Sequence, residues 1–100
     1  MVQFEEIQQK VIDWAKDKNI LSPENHAKQM MKVIEELGEL SSSILKNDFE
    51  KEIDSFGDVI VTLVILAKQR NIDLVNAFDF AYDEIKNRKG KTVNGTFIKD

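Results

Sequence analysis

Five carboxylates within residues 35–58 have the type and spacing to do chemistry. Glu35, Glu36 and Glu39 precede Asn47-Asp48, and Asp54 and Asp58 follow it. If both flanking segments are helical, Glu36/Glu39 at i,i+3, Glu35/Glu39 at i,i+4 and Asp54/Asp58 at i,i+4 each share a face. Asn47-Asp48 reads as a turn that lays the two helices antiparallel. Glu36 lies eleven residues before Asn47 and Asp58 eleven after it. With a rise of about 1.5 Å per residue in both helices, Glu36 faces Asp58, and Glu39 stands level with Asp54 and Ser55. Carboxylates gathered at one height repel one another and raise each other's pKa unless a cation lies among them. The chain has no cysteine and one histidine, His26, so the donors are oxygen. Such a set suits Mg²⁺, with Mn²⁺ as a substitute, better than Ca²⁺.

Solvated surface charge is the competing explanation. At 100° per residue, Gln29, Lys32, Glu35, Glu36, Glu39, Ser42 and Ser43 form one side of the second helix. Met30, Met31, Val33, Ile34, Leu37, Leu40, Ile44 and Leu45 form the other. Asp58 is harder to dismiss, because Asp54 and Asp58 share their face with Val61 and Ile65. A carboxylate entering an apolar stretch needs a partner, either a metal or an ion pair with Lys32. Gly38 and Gly57 sit mid-helix beside the acids, where glycine costs about 1 kcal/mol against alanine. Close helix approach, substrate access or plain tolerance would each account for them.

Four helices are needed to hold these residues. One proline and four glycines in 100 residues leave few breaks. Phe4, Ile7, Val11, Trp14 and Lys18 recur at helical steps, predicting a first helix over about residues 3–19 that Asn19 ends. Ser22-Pro23 opens the second, to about Lys46, with Ser22 as cap. Asp48 caps the third, to about Arg70. Its second half, Val59–Ala67, is apolar around the whole circumference. Asp73 caps the fourth, which runs to about Arg88 with Gly90 as terminator. The tail carries an Asn94-Gly95 turn between short apolar stubs, predicting a hairpin or extended arm. The expected architecture is a single all-α domain over residues 1–100. It is an antiparallel four-helix bundle with a C-terminal arm, completed by a homodimer or homotetramer because one chain cannot cover the third helix on all sides.

Composition excludes several classes. Net charge is −4 with no basic run, so no nucleic acid is expected as a partner. Met1–Glu6 is already charged and unlike a signal segment, and Val59–Ala67 is too short to span a membrane. The absence of cysteine removes thiol nucleophiles and disulfides and fits a cytoplasmic setting.

Glu35-Glu36-Leu37-Gly38-Glu39 resembles the Glu-Glu-x-x-Glu motif of the all-α nucleoside triphosphate pyrophosphohydrolases, the MazG-like family. Asp54-Ser55-Phe56-Gly57-Asp58 resembles that family's second motif, Glu-x-x-Asp before an apolar helix. The tail Asn87–Phe97 is similar to the C-terminal segment of small, phage-type members. The departure is Ser55, which stands where the pattern has Glu; Asp54, one turn before Asp58, is the candidate replacement.

The resemblance implies hydrolysis of (deoxy)nucleoside triphosphates to monophosphate and pyrophosphate, in nucleotide-pool house-cleaning. It implies Glu36, Glu39 and Asp58 as metal ligands with Asp54 in support, and Glu35 as ligand or water-positioning base. Lys32, Arg88, Lys89 and Lys91 are candidate phosphate contacts, although the last three also suit the end of the fourth helix as dipole-favourable charge. Asn94 is a candidate nucleotide contact or simply a turn residue. Trp14 is a candidate for stacking on a base, or a core or interface residue by its spacing with Ile7 and Val11. The alternative function is a non-enzymatic helical assembly protein with solvated acids. A di-iron bundle would want Glu-x-x-His pairs, and the chain has none.

Overall fold

The computed structural model describes residues 3–100; Met1 and Val2, at the start of the charged N-terminal segment, lie outside them. Helix α1 spans Phe4–Asp17, α2 His26–Leu45, α3 Phe49–Gln69 and α4 Leu74–Ile85. Strands β1 (Gly90–Val93) and β2 (Thr96–Lys99) close the chain. The expected second helix begins instead as a 3₁₀ turn at Pro23–Asn25, and the Ser22 hydroxyl donates to Glu24 at 2.6 Å rather than capping. The fourth helix ends three residues early, at Ile85.

Asparagine punctuates the chain. Asn19, Asn47 and Asn71 follow α1, α2 and α3 with φ of 58°, 56° and 59°. At each, the next residue's N–H bonds five residues back, as in Ile20→Ala15 at 3.1 Å, Asp48→Ser43 at 3.0 Å and Ile72→Ala67 at 2.8 Å. These are Schellman caps with Asn, the side chain other than Gly that best tolerates the left-handed region, at C′. Asp48 and Asp73 then accept from Lys51 and Asn76 N–H at 3.2 and 3.0 Å, capping α3 and α4 as expected.

α3 is the central helix. It packs against α1, α2 and α4, whereas α2 touches neither α1 nor α4. The buried apolar core is correspondingly small, namely Ala15, Val33, Val59, Val64 and Ile65. Polar side chains stitch its edges. The buried Gln8 amide donates to Asp73 at 3.4 Å and accepts from Val75 N–H at 3.1 Å, joining α1 to the start of α4. Buried Gln69 donates to the Ile20 carbonyl at 2.8 Å, holding the α1–α2 connection on α3.

The α2 face that meets α3 is not the one its hydrophobic pattern suggests. Val33 and Ser43 are buried and Gln29, Glu36 and Leu40 half-buried, in a 4-3-4-3 spacing, while Met30, Ile34, Leu37 and Ile44 are exposed. Glu36 and Ser43 therefore lie in the seam rather than on a solvated back. Asp58 shows the converse, being exposed within the protomer although its sequence neighbours are apolar. The radius of gyration, 15.9 Å, exceeds the roughly 13 Å of a compact 100-residue domain. The helical layer is open, and the hairpin stands away from it.

Candidate active site

The α2–α3 seam holds the acids. Gln29 in α2 donates to the Thr62 carbonyl of α3 at 3.1 Å, and the Thr62 hydroxyl donates to Val59 carbonyl at 2.7 Å. Toward the turn, Ser43 and Ser55 are both buried, Ser55 to 1% exposure, and both are small enough to let the helices close. Glu36 lies between these ties. Its Oε2 is sealed from solvent and has no hydrogen-bond partner. Its pKa is raised, first by removal from water, then by Glu39 and by the charges of Asp58 and Glu35. The register inferred from Asn47 is thus realised, for Asp58 of α3 acts on Glu36 of α2. None of the groups acting on Glu36 is cationic. Lys32, a possible neutraliser, pairs with exposed Glu35 at 3.4 Å instead.

An orphaned carboxylate oxygen surrounded by further carboxylates fits a hard divalent cation in donor chemistry. Among the described residues, no three Asp, Glu, His or Cys side chains are close enough to hold one as they stand. Glu39 and Asp58 are exposed and Glu36 half-buried, so the outer two are free to turn toward Glu36 by rotamer change. Ser55, in the buried seam, offers no carboxylate. Asp54 is exposed on the adjacent α3 face with Asp58.

That adjacent face borders a recess of about 490 Å³ between α1 and α3. Phe4, Ile7, Val11, Ile60 and Val61 give it apolar walls, and Asp54, Gly57 and Asp58 lie on its α3 side. Gln8 also lines it, but its amide is engaged by Asp73 and Val75. Trp14 is 52% exposed, not core, and lies beside Ile7, Val11 and Val61 in an adjoining hollow. The apolar stripe of α1 was the signal for this recess, although it reads equally as core. Gly57 borders the recess, and a Cβ there or at Gly38 would meet nothing within 4 Å, so neither glycine is demanded by close packing in the protomer.

The remaining candidates are held apart from the acids. Lys89 and Lys91 lie at the start of the hairpin, with Arg88 just before it, and the hairpin packs against none of the helices. Asn94, at φ 51°, and Gly95, at φ 79°, form its turn.

A family model described as the MazG nucleotide pyrophosphohydrolase domain matches residues 24–93, which includes both acid segments and β1. The chain is also 40% identical over 75 residues to an uncharacterised 18.2 kDa protein from the rep-hol intergenic region of Haemophilus phage HP1 (strain HP1c1). That alignment covers 75% of this chain and 46% of the phage protein, so the chain spans about half the length of this relative. No solved structure matches the chain at a significant level.

Proposed function

The chain belongs to the MazG nucleotide pyrophosphohydrolase domain family, and from that premise we propose that it hydrolyses nucleoside triphosphates to monophosphate and pyrophosphate in the presence of Mg²⁺. The observation that carries this is the Glu36 Oε2, sealed from solvent without a hydrogen-bond partner, on a carboxyl whose pKa is raised by burial, by a side-chain hydrogen bond and the charge of Glu39, and by the charges of Asp58 and Glu35. A solvated acidic face has no reason to bury one oxygen without a partner.

Glu36, Glu39 and Asp58 would hold the metal, with Asp54 in support. When bound, the ion supplies charge neutralisation for the phosphates and a water of lowered pKa. Glu35, paired with Lys32 at 3.4 Å, would serve either as a further ligand or as the base that orients and deprotonates water. In the hydrolysis a water oxygen would bond to the α-phosphorus as its proton passes to a carboxylate of the cluster, the bond from the α-phosphorus to the α–β bridging oxygen would break, and pyrophosphate would leave. The apolar recess beside Asp54 and Asp58 takes the base and sugar, with Trp14 in the adjoining hollow. Among the described residues its walls offer no free hydrogen-bonding side chain apart from the two aspartates, which suits tolerance of several bases. This fits a role in cytoplasmic nucleotide-pool control.

The active form is a homo-oligomer. Met30, Ile34, Leu37 and Ile44 make an exposed stripe at i, i+4, i+7 and i+14 along α2, the pattern of a helix seeking a helix.

Incubation with a panel of ribo- and deoxyribonucleoside triphosphates and Mg²⁺, with the products resolved, tests the activity. Monophosphate plus intact pyrophosphate is expected. Diphosphate plus orthophosphate rejects the mechanism, and no turnover across the panel favours a non-enzymatic assembly protein.

A further inference from the structure

The acid-bearing stripes of α2 and α3 both end in lysine at the turn. Along α2 and its C-cap, Glu35, Glu39, Ser42 and Lys46 recur at i, i+4, i+7 and i+11, one face of the helix. Along α3, Lys51, Asp54 and Asp58 recur at i, i+3 and i+7. The helices run back to back from Asn47-Asp48, so the carboxylates of both stripes lie away from the turn and the two lysines lie beside it. Lys46 and Lys51 line a hollow of about 310 Å³ with Glu39, Ser42, Ser43 and Asp48. Glu39 belongs to both places, because it also bonds to and acts on Glu36. The hollow therefore adjoins the acid cluster.

Its acceptors are engaged and its cations are not. The Ser43 hydroxyl donates to the Leu40 carbonyl at 2.7 Å. Asp48 Oδ1 accepts from the Lys51 N–H at 3.2 Å. Among the described residues the ion pairs are Lys32–Glu35 and Lys86–Asp83, so neither Lys46 nor Lys51 is paired. The helix dipole accounts for Lys46, at the C-terminal end of α2. It does not account for Lys51, which stands in the first turn of α3, where positive charge is disfavoured. An anion in the hollow accounts for both.

The charges also set a condition on that anion. Without metal, Glu39 and Asp48 offset Lys46 and Lys51. A divalent cation held by Glu39 tips the hollow positive. The anion is thus one that arrives with a divalent cation, as a chain of phosphates does.

We propose that the hollow between Lys46 and Lys51 binds the β- and γ-phosphates of the substrate. The triphosphate then lies along the seam, with its base in the α1–α3 recess, its α-phosphate at the acids and its pyrophosphate toward the Asn47 turn. The inference rests on the acid cluster being the triphosphate site, but binding of pyrophosphate is measured without turnover.

Calorimetric titration with inorganic pyrophosphate in saturating Mg²⁺, at physiological ionic strength, tests it. Wild type binds pyrophosphate. Lys46→Gln and Lys51→Gln each weaken that binding about tenfold, the scale of one lost charge-assisted contact. A nucleoside monophosphate, which has no distal phosphates, binds both variants as it binds wild type. Lys28→Gln removes the same charge from the exposed start of α2 and leaves pyrophosphate binding unchanged, which separates a local contact from the field of the whole chain. No pyrophosphate binding by wild type, undiminished binding in either hollow variant, a parallel loss of monophosphate binding, or equal weakening by Lys28→Gln overturns the inference. Lysine-dependent pyrophosphate binding by a wild type that turns over no triphosphate retains the hollow and removes the hydrolase assignment. An active wild type whose pyrophosphate binding ignores both lysines retains the hydrolase and removes the hollow.

Discussion

The charge of Asp58 on α3 acts across the α2–α3 seam on Glu36 of α2 and helps to raise its pKa, while Glu36 Oε2 is buried without a partner. If that pair holds the metal, Glu36→Gln and Asp58→Asn each lower kcat/KM by more than the about 10–100-fold typical of losing a ligand's supporting contact. Circular dichroism spectra should remain helical, and metal-free melting temperatures should be unchanged or higher because repulsion is relieved. Near-native rates in either variant reject the assignment.

The same pair makes stability depend on pH in a stated direction. Glu36 has a raised folded-state pKa. Its contribution is fully present below the unfolded pKa and is lost as pH rises through the raised value, because the folded state binds more protons in that window. Metal-free protein therefore melts at lower temperature as pH climbs out of the ordinary glutamate range. Saturating Mg²⁺ should reverse the slope, since the ion takes the deprotonated form. In Glu36→Gln this component of the slope disappears. A metal-free melting profile unaltered by the substitution contradicts the account.

Ser55 tests the departure from the family pattern. It is 1% exposed in the seam, so Ser55→Glu adds another carboxyl to the buried seam at the level of Glu39. The expected cost in metal-free protein is on the order of 2 kcal/mol, the scale for a buried polar group without a partner. Mg²⁺ titrated during thermal unfolding should recover more stability in this variant than in wild type. Equal recovery would show that the position points away from the ion.

Gly57 separates folding from substrate binding. A methyl group there meets no neighbour within 4 Å yet stands beside the recess. Gly57→Ala should stabilise α3 by up to about 1 kcal/mol while raising KM and leaving kcat little changed. Unchanged KM would move the base out of the recess.

Gln8 lines the recess but its amide is taken up in joining α1 to the start of α4. Gln8→Ala leaves the Val75 N–H without its acceptor and frees Asp73 from its side-chain donor. A loss of about 1–3 kcal/mol is expected for the exposed need of a part-buried group, with earlier hydrogen exchange in α4 than in α2–α3. Protection in α4 equal to wild type would show that Phe4–Phe78 packing, at 6.2 Å between ring centroids, holds α4 unaided.

Much of this protein was settled locally. Asp48 and Asp73 cap helices because a short carboxylate reaches the first-turn N–H groups. Asn19 and Asn47 end them because Asn bears the left-handed conformation, and Asn94-Gly95 turns a hairpin for the same reason. The level pairing of Glu36 with Asp58 followed from counting out from a short turn, since both helices rise equally per residue. What the sequence could not decide was which face of α2 meets α3. Periodicity locates an apolar stripe but not its cover, and the tertiary structure turns Met30, Ile34, Leu37 and Ile44 outward while Gln29, Glu36 and Ser43 enter the seam. Contacts between distant segments decided that. They also decided the burial of Ser55, the recess that α1 makes with α3, and the separation of the basic arm from the acids of its own chain.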